Sequence, residues 1–527
     1  MKALNWKTAV GLAAVLAVAG ALRLYEIGSK SLWLDEVYSE VRTRGDFRES
    51  MDEIVRHDAP PPSYLLALWF WRRGFGDSDA ILRVLSACCD LATVALIFLL
   101  LRHLAGKTGA FAGAILYATS SFAVYFAQEA RHYALFNMLA TASTFVFVKI
   151  FWTEERTSPV RWLLYALLIA LMLYTFQYGF FVLAAHLVCL ILLRIFQPGR
   201  TRSKFVPGLA MMLMGLVIFG PYVSVIVSKA QALSAMGAAG RDFELVNIPL
   251  TITSQMCGPE GLLPFERASV WFWVAAALLT VSVTAGILAA PDRKRRGILF
   301  GSLLIVPFVC LLVLPYRPHI FEPKHLIFLG PMLFGGAASF FTEMKAGKGR
   351  AIRAMAGIAV FCGLLAINCV MLVRYNSAET GKESWRDATT NVCDNLKRGD
   401  AVLFMPFQAR LPFERYLPEG TKIYPRRYGI PTGRDTVGIT VLAMLKGFAD
   451  GLPVYYSERE VRNRLAGVSR LWVVSLSSNV SRELPFIRQR LQRILESDFT
   501  EAETPGGAER KWRGLAGTIE VRLYERR

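Results

Sequence analysis

The feature that most constrains this chain is a succession of apolar runs of roughly 17 to 24 residues ahead of residue 375. Each is long enough to cross the hydrocarbon core of a bilayer. Backbone in lipid must satisfy its own polar groups, so runs of this kind fold as helices. The candidate spans are residues 8–24, 80–101, 108–127, 134–151, 162–176, 178–195, 205–228, 270–290, 298–315, 325–342 and 354–373. The 162–195 stretch reads either as two short helices broken near Gln177 and Gly179 or as one long helix. Only 19% of the 527 residues are charged and 54% are hydrophobic, against about 25% charged in a soluble domain. Disorder, collagen-like repeats, a small disulfide scaffold and a soluble cytosolic enzyme are excluded.

Basic residues set the orientation. With the N-terminus inside, the inside loops hold Lys2 and Lys7, Arg102 and Lys107, Lys149 to Arg161, Arg194 to Lys204, Arg293 to Arg296, and Lys345 to Arg353. The outside loops after the second span hold far fewer. That asymmetry favours eleven spans, N-in and C-out. Lys2, Lys7 and Ala17-Val18-Ala19 have the cast of a signal peptide, but the spans that follow favour an uncleaved anchor. The net charge of +19 then reflects loops facing anionic lipid rather than nucleic acid. The eight cysteines fall mostly inside apolar runs, without C-x-x-C spacing, and imply neither a disulfide framework nor a metal site.

After residue 374 the apolar runs stop. Residues 385–397 read as an amphipathic helix, 400–406 as a short buried strand, 470–477 as another strand, 481–497 as a charged helix and 518–525 as a half-buried final strand. The expected organisation is a transmembrane module over 1–374 and a soluble extracytoplasmic α/β domain over 375–527. No Gly-rich phosphate loop occurs in the tail.

Four segments carry candidate chemistry. The first outside loop, residues 26–79, opens with Asp35 and Glu36 flanked by Trp33, Leu34, Val37 and Tyr38. The pair reads as ordinary exposed acids, or as carboxylates held at the membrane face to act as a base or metal ligands. The loop ends in HDAPPPSYLLALWFW, where His57, Asp58 and Tyr64 are substrate-contact candidates and the aromatics suit an interfacial helix. QEARHYALF brings Glu129, Arg131, His132 and Tyr133 to the same predicted side; an Arg there can grip a phosphate, or simply pair with Glu129. YRPHIFEPKHLIFLGP adds Arg317, His319, Lys324 and His325, a cationic rim that can meet an anionic head group. The two His are not at a metal-ligand spacing. Together these suit a reaction between a lipid-borne phosphate ester and an acceptor outside the cytoplasm.

On these residues the chain resembles the bacterial polytopic GT-C glycosyltransferases related to protein O-mannosyltransferases and lipid A aminoarabinose transferases, a glycosyltransferase family 39-like group. The LWLDE motif, the Pro61, Pro62 and Tyr64 element, the LRVLSA start of the second span (Leu82 to Ala87) and EARHYAL carry the likeness, in order, over about residues 1–375. The resemblance implies a GT-C fold with about eleven transmembrane helices. It implies Asp35 as catalytic base with Glu36 beside it, and Glu129, Arg131, Tyr133, Lys324 and His325 near the donor phosphate and sugar. Pro60 and Lys324-His325 stand where many relatives have His and Arg-Tyr; Lys keeps the charge but not the fork.

The implied reaction is inverting glycosyl transfer from a polyprenyl-phosphate sugar to an extracytoplasmic lipid, polysaccharide or protein hydroxyl. Membrane lipids are expected partners and nucleic acid is not. No cofactor is required, though a divalent metal at Asp35 and Glu36 stays open. The rival readings are a non-enzymatic lipid or polysaccharide transporter, and a scaffold whose tail recruits a partner. A transport path calls for intramembrane polar residues, of which Asp90 and Asn137 stand out.

Overall fold

The computed structural model describes residues 5–57, 60–153, 157–235, 243–259, 270–288, 290, 292–313, 321–342, 350–377, 382–424, 427–432, 435–449, 452–477, 484–504, 510–513 and 518–527. The chain forms two compact units. A helical unit takes residues 1–27, 42–229 and 241–376, and a sheet unit takes 28–41, 230–240 and 377–527. Residues 28–41, just after the first apolar helix, thus cluster with the C-terminal part of the chain.

In the helical unit each expected span contains helix among the described residues. Among the described residues seven helices are long and apolar enough to cross a membrane: Trp6–Leu24, Asp79–Leu104, Tyr133–Phe151, Gly179–Phe196, Thr201–Lys229, Arg293–Val313 and Ala354–Asn376. The run 108–127 is a pair, Gly106–Ala118 and Ser121–Ala127, bent by 62°. Ser120 starts the second piece, its Oγ accepting the Ala123 N–H at 3.2 Å and donating to the Gln255 carbonyl at 2.7 Å. Pro159–Leu173, Phe272–Leu288 and Leu329–Phe340 are shorter apolar helices. The ambiguous 162–195 stretch is two helices, parted by residues 174–178.

The segment between the first two long apolar helices holds more helix than its aromatics announce. Phe47–His57 precedes the expected Ser63–Phe75. Phe47 meets Trp69 edge-on at 5.2 Å, and Arg73 lies 3.6 Å from the Trp69 ring.

Polar residues inside the bundle are cross-links. Arg23 Nε donates to Asp90 at 2.6 Å, Tyr117 OH donates to the other Asp90 oxygen, and Asn137 Nδ2 donates to Tyr117 OH at 2.7 Å. Arg23 NH1 also donates to the Ala118 carbonyl at 2.8 Å. His186 sits between Thr144 and Tyr165, 3.1 Å from each hydroxyl, and stacks on Phe147 at 4.6 Å. Asp90 and Asn137 therefore belong to a buried network that ties four helices together and leaves one Arg23 nitrogen and the Asn137 Oδ1 without a hydrogen-bond partner.

Buried basic residues finish a helix end. Lys204 Nζ donates to the carbonyls of Ile150 and Thr153 at 2.9 and 2.6 Å, and Arg295 donates to that of Phe151. They satisfy orphan carbonyls where Tyr133–Phe151 stops, at its negative dipole end. Val270–Leu288 and Leu329–Thr342 approach so closely that a Cβ on Gly286 would collide with the Gly336 carbonyl.

The sheet unit is a mixed sheet. Its strands are β1 Ala401–Met405, β2 Lys422–Tyr424, β3 Arg427–Thr432, β4 Asp435–Ala443, β5 Leu445–Ala449, β6 Leu452–Tyr455, β7 Arg470–Ser477, β8 Phe499–Ala502, β9 Arg510–Arg513 and β10 Thr518–Arg526. The order is β2-β3-β4-β1-β7-β10-β8, with β9 on β10, while β5 and β6 form a separate hairpin. β1 pairs in parallel with β4 and β7, and β10 returns antiparallel to β7. β1 is buried throughout, as expected of a central strand. On one face Val402, Phe404, Trp472 and Val474 pack against Trp385, Ala388 and Val392 of helix Trp385–Asp394. On the other, Leu403, Leu471 and Val473 pack against Val461 and Leu465 of helix Glu458–Leu465 and Leu491 and Ile494 of helix Leu484–Asp498. The expected α/β class, its first and last helices and its three anticipated strands all appear.

Candidate functional site

Within the helical unit the candidate residues gather around segment 128–133. Gln128 Nε2 donates to the carbonyls of Arg23 and Tyr25 at 3.0 and 2.9 Å, closing the end of Trp6–Leu24, and Tyr375 OH donates to Gln128 Oε1 at 2.7 Å. The Arg131 N–H donates to the Glu129 carbonyl at 2.7 Å, which tightens the turn. Glu129 is fully buried and Arg131 half-buried. Ser86 Oγ reaches the Arg131 carbonyl at 3.3 Å and Tyr64 OH at 3.0 Å, so Tyr64 of the proline element and LRVLSA join the turn through one hydroxyl. Arg83 of the same motif donates to the Ile27 carbonyl at 2.9 Å.

Lys324 approaches from the turn Pro323–Leu326, its Nζ 5.7 Å from the Tyr133 ring centre and 2.8 Å from Glu322. His325 Nδ1 accepts the Glu322 N–H at 3.2 Å, and its ring lies 4.7 Å from Tyr178 and 5.7 Å from Phe176. Phe176 also meets His132 at 4.4 Å and Tyr133 at 6.0 Å. The break at residues 174–178 thus delivers Phe176 and Tyr178 to the cluster. Sequence reasoning missed both, although the doubt about this stretch marked the spot. The result is a cluster of cationic and aromatic side chains beside a buried carboxylate, a set that can meet an anionic group.

Asp35 and Glu36 belong to the sheet unit. They lie in the first turn of helix Leu34–Arg42. Glu36 is fully buried; its Oε2 accepts the Trp33 N–H at 3.3 Å and lies 3.3 Å from Lys382 Nζ. Asp35 is half-buried. Glu40, one turn on, faces Arg415 at 3.6 Å. The Leu32 N–H donates to Tyr416 OH at 2.6 Å, and Arg386 holds Ser31 Oγ and the Ser29 carbonyl at 3.0 Å each. Leu34 packs on the sheet core. Glu383 adds a third buried carboxylate, which accepts Trp385 Nε1–H at 2.6 Å. Burial, with Asp35 and Glu36 near it, pushes its carboxyl up to about 7. Lys382 and Glu383 were missed too.

Asp58, Arg317 and His319 lie outside the described residues, and His57 is fixed only as the last residue of Phe47–His57. Among the described residues no group of His, Cys, Asp and Glu is arranged to hold a metal ion, and the Glu36 carboxylate is engaged by Lys382.

With this geometry in hand, comparisons decide the fold. ArnT from Cupriavidus metallidurans, bound to undecaprenyl phosphate, superposes with a TM-score of 0.56 over 98% of this chain and 98% of its own, at 12% identity. Its apo state gives 0.57 over 97% and 98%, again at 12% identity. The protein has the GT-C fold. Within it, residues 58–224 match the dolichyl-phosphate-mannose-protein mannosyltransferase family. That match covers the stretch of the GT-C module from the proline element through Glu129, Arg131 and Tyr133. Among curated proteins, none matches the chain in sequence.

Proposed function

We propose that the protein is an inverting glycosyltransferase that moves a sugar from a polyprenyl-phosphate donor to an extracytoplasmic hydroxyl on lipid A, a polysaccharide or a protein. The observation that carries this reading is the mannosyltransferase-family match across residues 58–224, within a chain that shares its fold end to end with ArnT. Arg131 and Lys324 stabilise the phosphate as negative charge develops on the departing oxygen. Tyr133, Tyr64 and His325 line the donor, with Glu129 holding the turn. Asp35 accepts the proton of the acceptor hydroxyl while its oxygen bonds to the anomeric carbon. The bond from that carbon to the phosphate oxygen breaks, and the polyprenyl phosphate leaves with the electron pair. One displacement inverts the anomeric centre. The reaction belongs to the outer side of a bacterial inner membrane, with the N-terminus in the cytoplasm. The transporter reading loses support because Asp90 and Asn137 take part in a cross-link between helices.

Three strains test the proposal: wild type, a deletion, and Asp35→Asn at equal expression. Mass spectrometry of envelope glycans and polyprenyl-phosphate sugars is expected to show one sugar lost from its acceptor in both mutants while its lipid-linked donor accumulates. Removal of the base lowers the rate about 10²–10⁴-fold. Wild-type glycans in Asp35→Asn beside a phenotype in the deletion remove Asp35 from the mechanism.

A further inference from the structure

The end of the bundle away from the 128–133 cluster holds a cavity that the proposed transfer reaction does not use. Helix Tyr133–Phe151 has 19 residues, so its two ends lie about 28 Å apart. The cluster sits at its start and the cavity at its finish. There Gln197 alone separates Gly179–Phe196 from Pro198–Phe219, because Pro198 has no N–H to continue the first helix and suits the start of a second. Arg293–Val313 begins beside them, packed on Gly179–Phe196. Between these helix ends opens a cavity of about 580 Å³, inside the range of roughly 300–1,000 Å³ found for small-molecule sites. Gln197 to Gly199 line one side and Asp292 to Arg295 the other. Arg295 is buried; it donates to the Phe151 carbonyl and lies 4.5 Å from the Trp152 ring. Arg293 and Lys294 are exposed. Asp292 pairs with Arg296 at 2.5 Å. Three cations against one carboxylate, itself paired with a fourth cation, make the cavity positive.

We propose that this cavity binds the head group of an anionic phospholipid. The charge selects an anion, and a guanidinium meets phosphate oxygens in pairs while Lys294 adds a point charge. The surrounding helices select a lipid over a soluble phosphate ester. Gly179–Phe196, Thr201–Lys229 and Arg293–Val313 are each long and apolar enough to cross a membrane, so the cavity lies where they leave the hydrocarbon. Leu187, Ile191 and Ile195 are exposed at four-residue intervals along one face of Gly179–Phe196. That apolar stripe stops two residues short of Gln197, and it offers acyl chains a wall to run along. Basic pockets between membrane helices hold anionic lipid heads by the same combination of charge and apolar surroundings. With the N-terminus inside, as proposed, the cavity faces the cytoplasmic leaflet.

The test uses full-length protein in an uncharged detergent and native mass spectrometry of bound lipid. The probes are phosphatidylglycerol, phosphatidylcholine with the same acyl chains, and glycerophosphoglycerol, the anionic head group without its tails. Wild type is expected to bind phosphatidylglycerol about tenfold or more tightly than phosphatidylcholine, and glycerophosphoglycerol far more weakly. Arg293→Gln and Lys294→Gln are each expected to weaken phosphatidylglycerol binding about fivefold and to leave phosphatidylcholine binding unchanged. An added Cβ at Gly199 meets nothing within 4 Å, so a long side chain can enter there without a clash. Gly199→Glu is expected to abolish the preference for phosphatidylglycerol, and Gly199→Lys to keep it. Should Gly199→Glu lower the thermal midpoint, the two Gln variants of exposed residues decide alone. Lys107→Gln, which removes an exposed cation at the same end of the bundle, is expected to change nothing. An equal loss in Lys107→Gln shows diffuse attraction to a basic surface and overturns the site. So does a preference that survives Arg293→Gln and Lys294→Gln. Glycerophosphoglycerol bound as tightly as the intact lipid overturns the lipid assignment in favour of a soluble phosphate ester. None of these readouts involves turnover, so their failure leaves the transfer reading to its own test.

Discussion

At the scale of single residues, neighbouring acids in the sequence have opposite surroundings. Asp35 keeps part of its surface exposed, while Glu36 is buried against Lys382 and the Trp33 N–H. Removing one member of a buried ion pair strands the other, at a cost of about 3–5 kcal/mol, while removing both costs far less. Glu36→Gln and Lys382→Met are each expected to lower the thermal midpoint strongly, and the double variant to recover much of the loss. Additive losses in that cycle refute the pairing. The acid motif was legible as a place but not as a division of labour. Its partners lie about 350 residues away, and no local pattern encodes which of two adjacent carboxylates turns inward.

At the scale of elements, apolar length located helix within each expected span, because lipid leaves the backbone no other solution, while seven of those helices are long and apolar enough to cross among the described residues. The tail was legible where strand alternation was strong. β10 buries every second residue over most of its length, and β1 is an unbroken apolar run. The short strands β2, β5 and β6 and the charged helix Phe47–His57 gave no comparable signal, since their stability comes from what they pack on. In the cluster around residues 128–133 the legible part was the charged part. Phe176 and Tyr178 reach it through a helix break whose end points, not its purpose, were visible. Helix packing supplies a further expectation. Gly286→Leu drives a side chain into the backbone of Leu329–Thr342. The variant is expected to lose its monodisperse profile on size-exclusion chromatography in detergent, whereas Gly363→Leu, with nothing within 4 Å of an added Cβ, is expected to keep it.

At the scale of the molecule, the two units are not two consecutive stretches of chain. Residues 28–41 belong with 377–527, which a reading by composition places with the spans because they follow the first of them. A boundary drawn near residue 375 therefore separates the acid motif from the groups that hold it. Truncation after Asn376 is expected to leave a protein that still fractionates with membranes but transfers no sugar, even with Asp35 intact. Transfer by the truncated chain, read from the same glycan profiles, shows that those groups are dispensable.

The distance in sequence between Ser31 and Arg386, or Leu32 and Tyr416, also has a meaning in time. At roughly 5–20 residues per second, the ribosome finishes the acid motif some tens of seconds before it makes the residues that clasp it. The first candidate segment to be synthesised is therefore among the last to be completed, and an unfinished copy of this protein carries its acid motif unclasped.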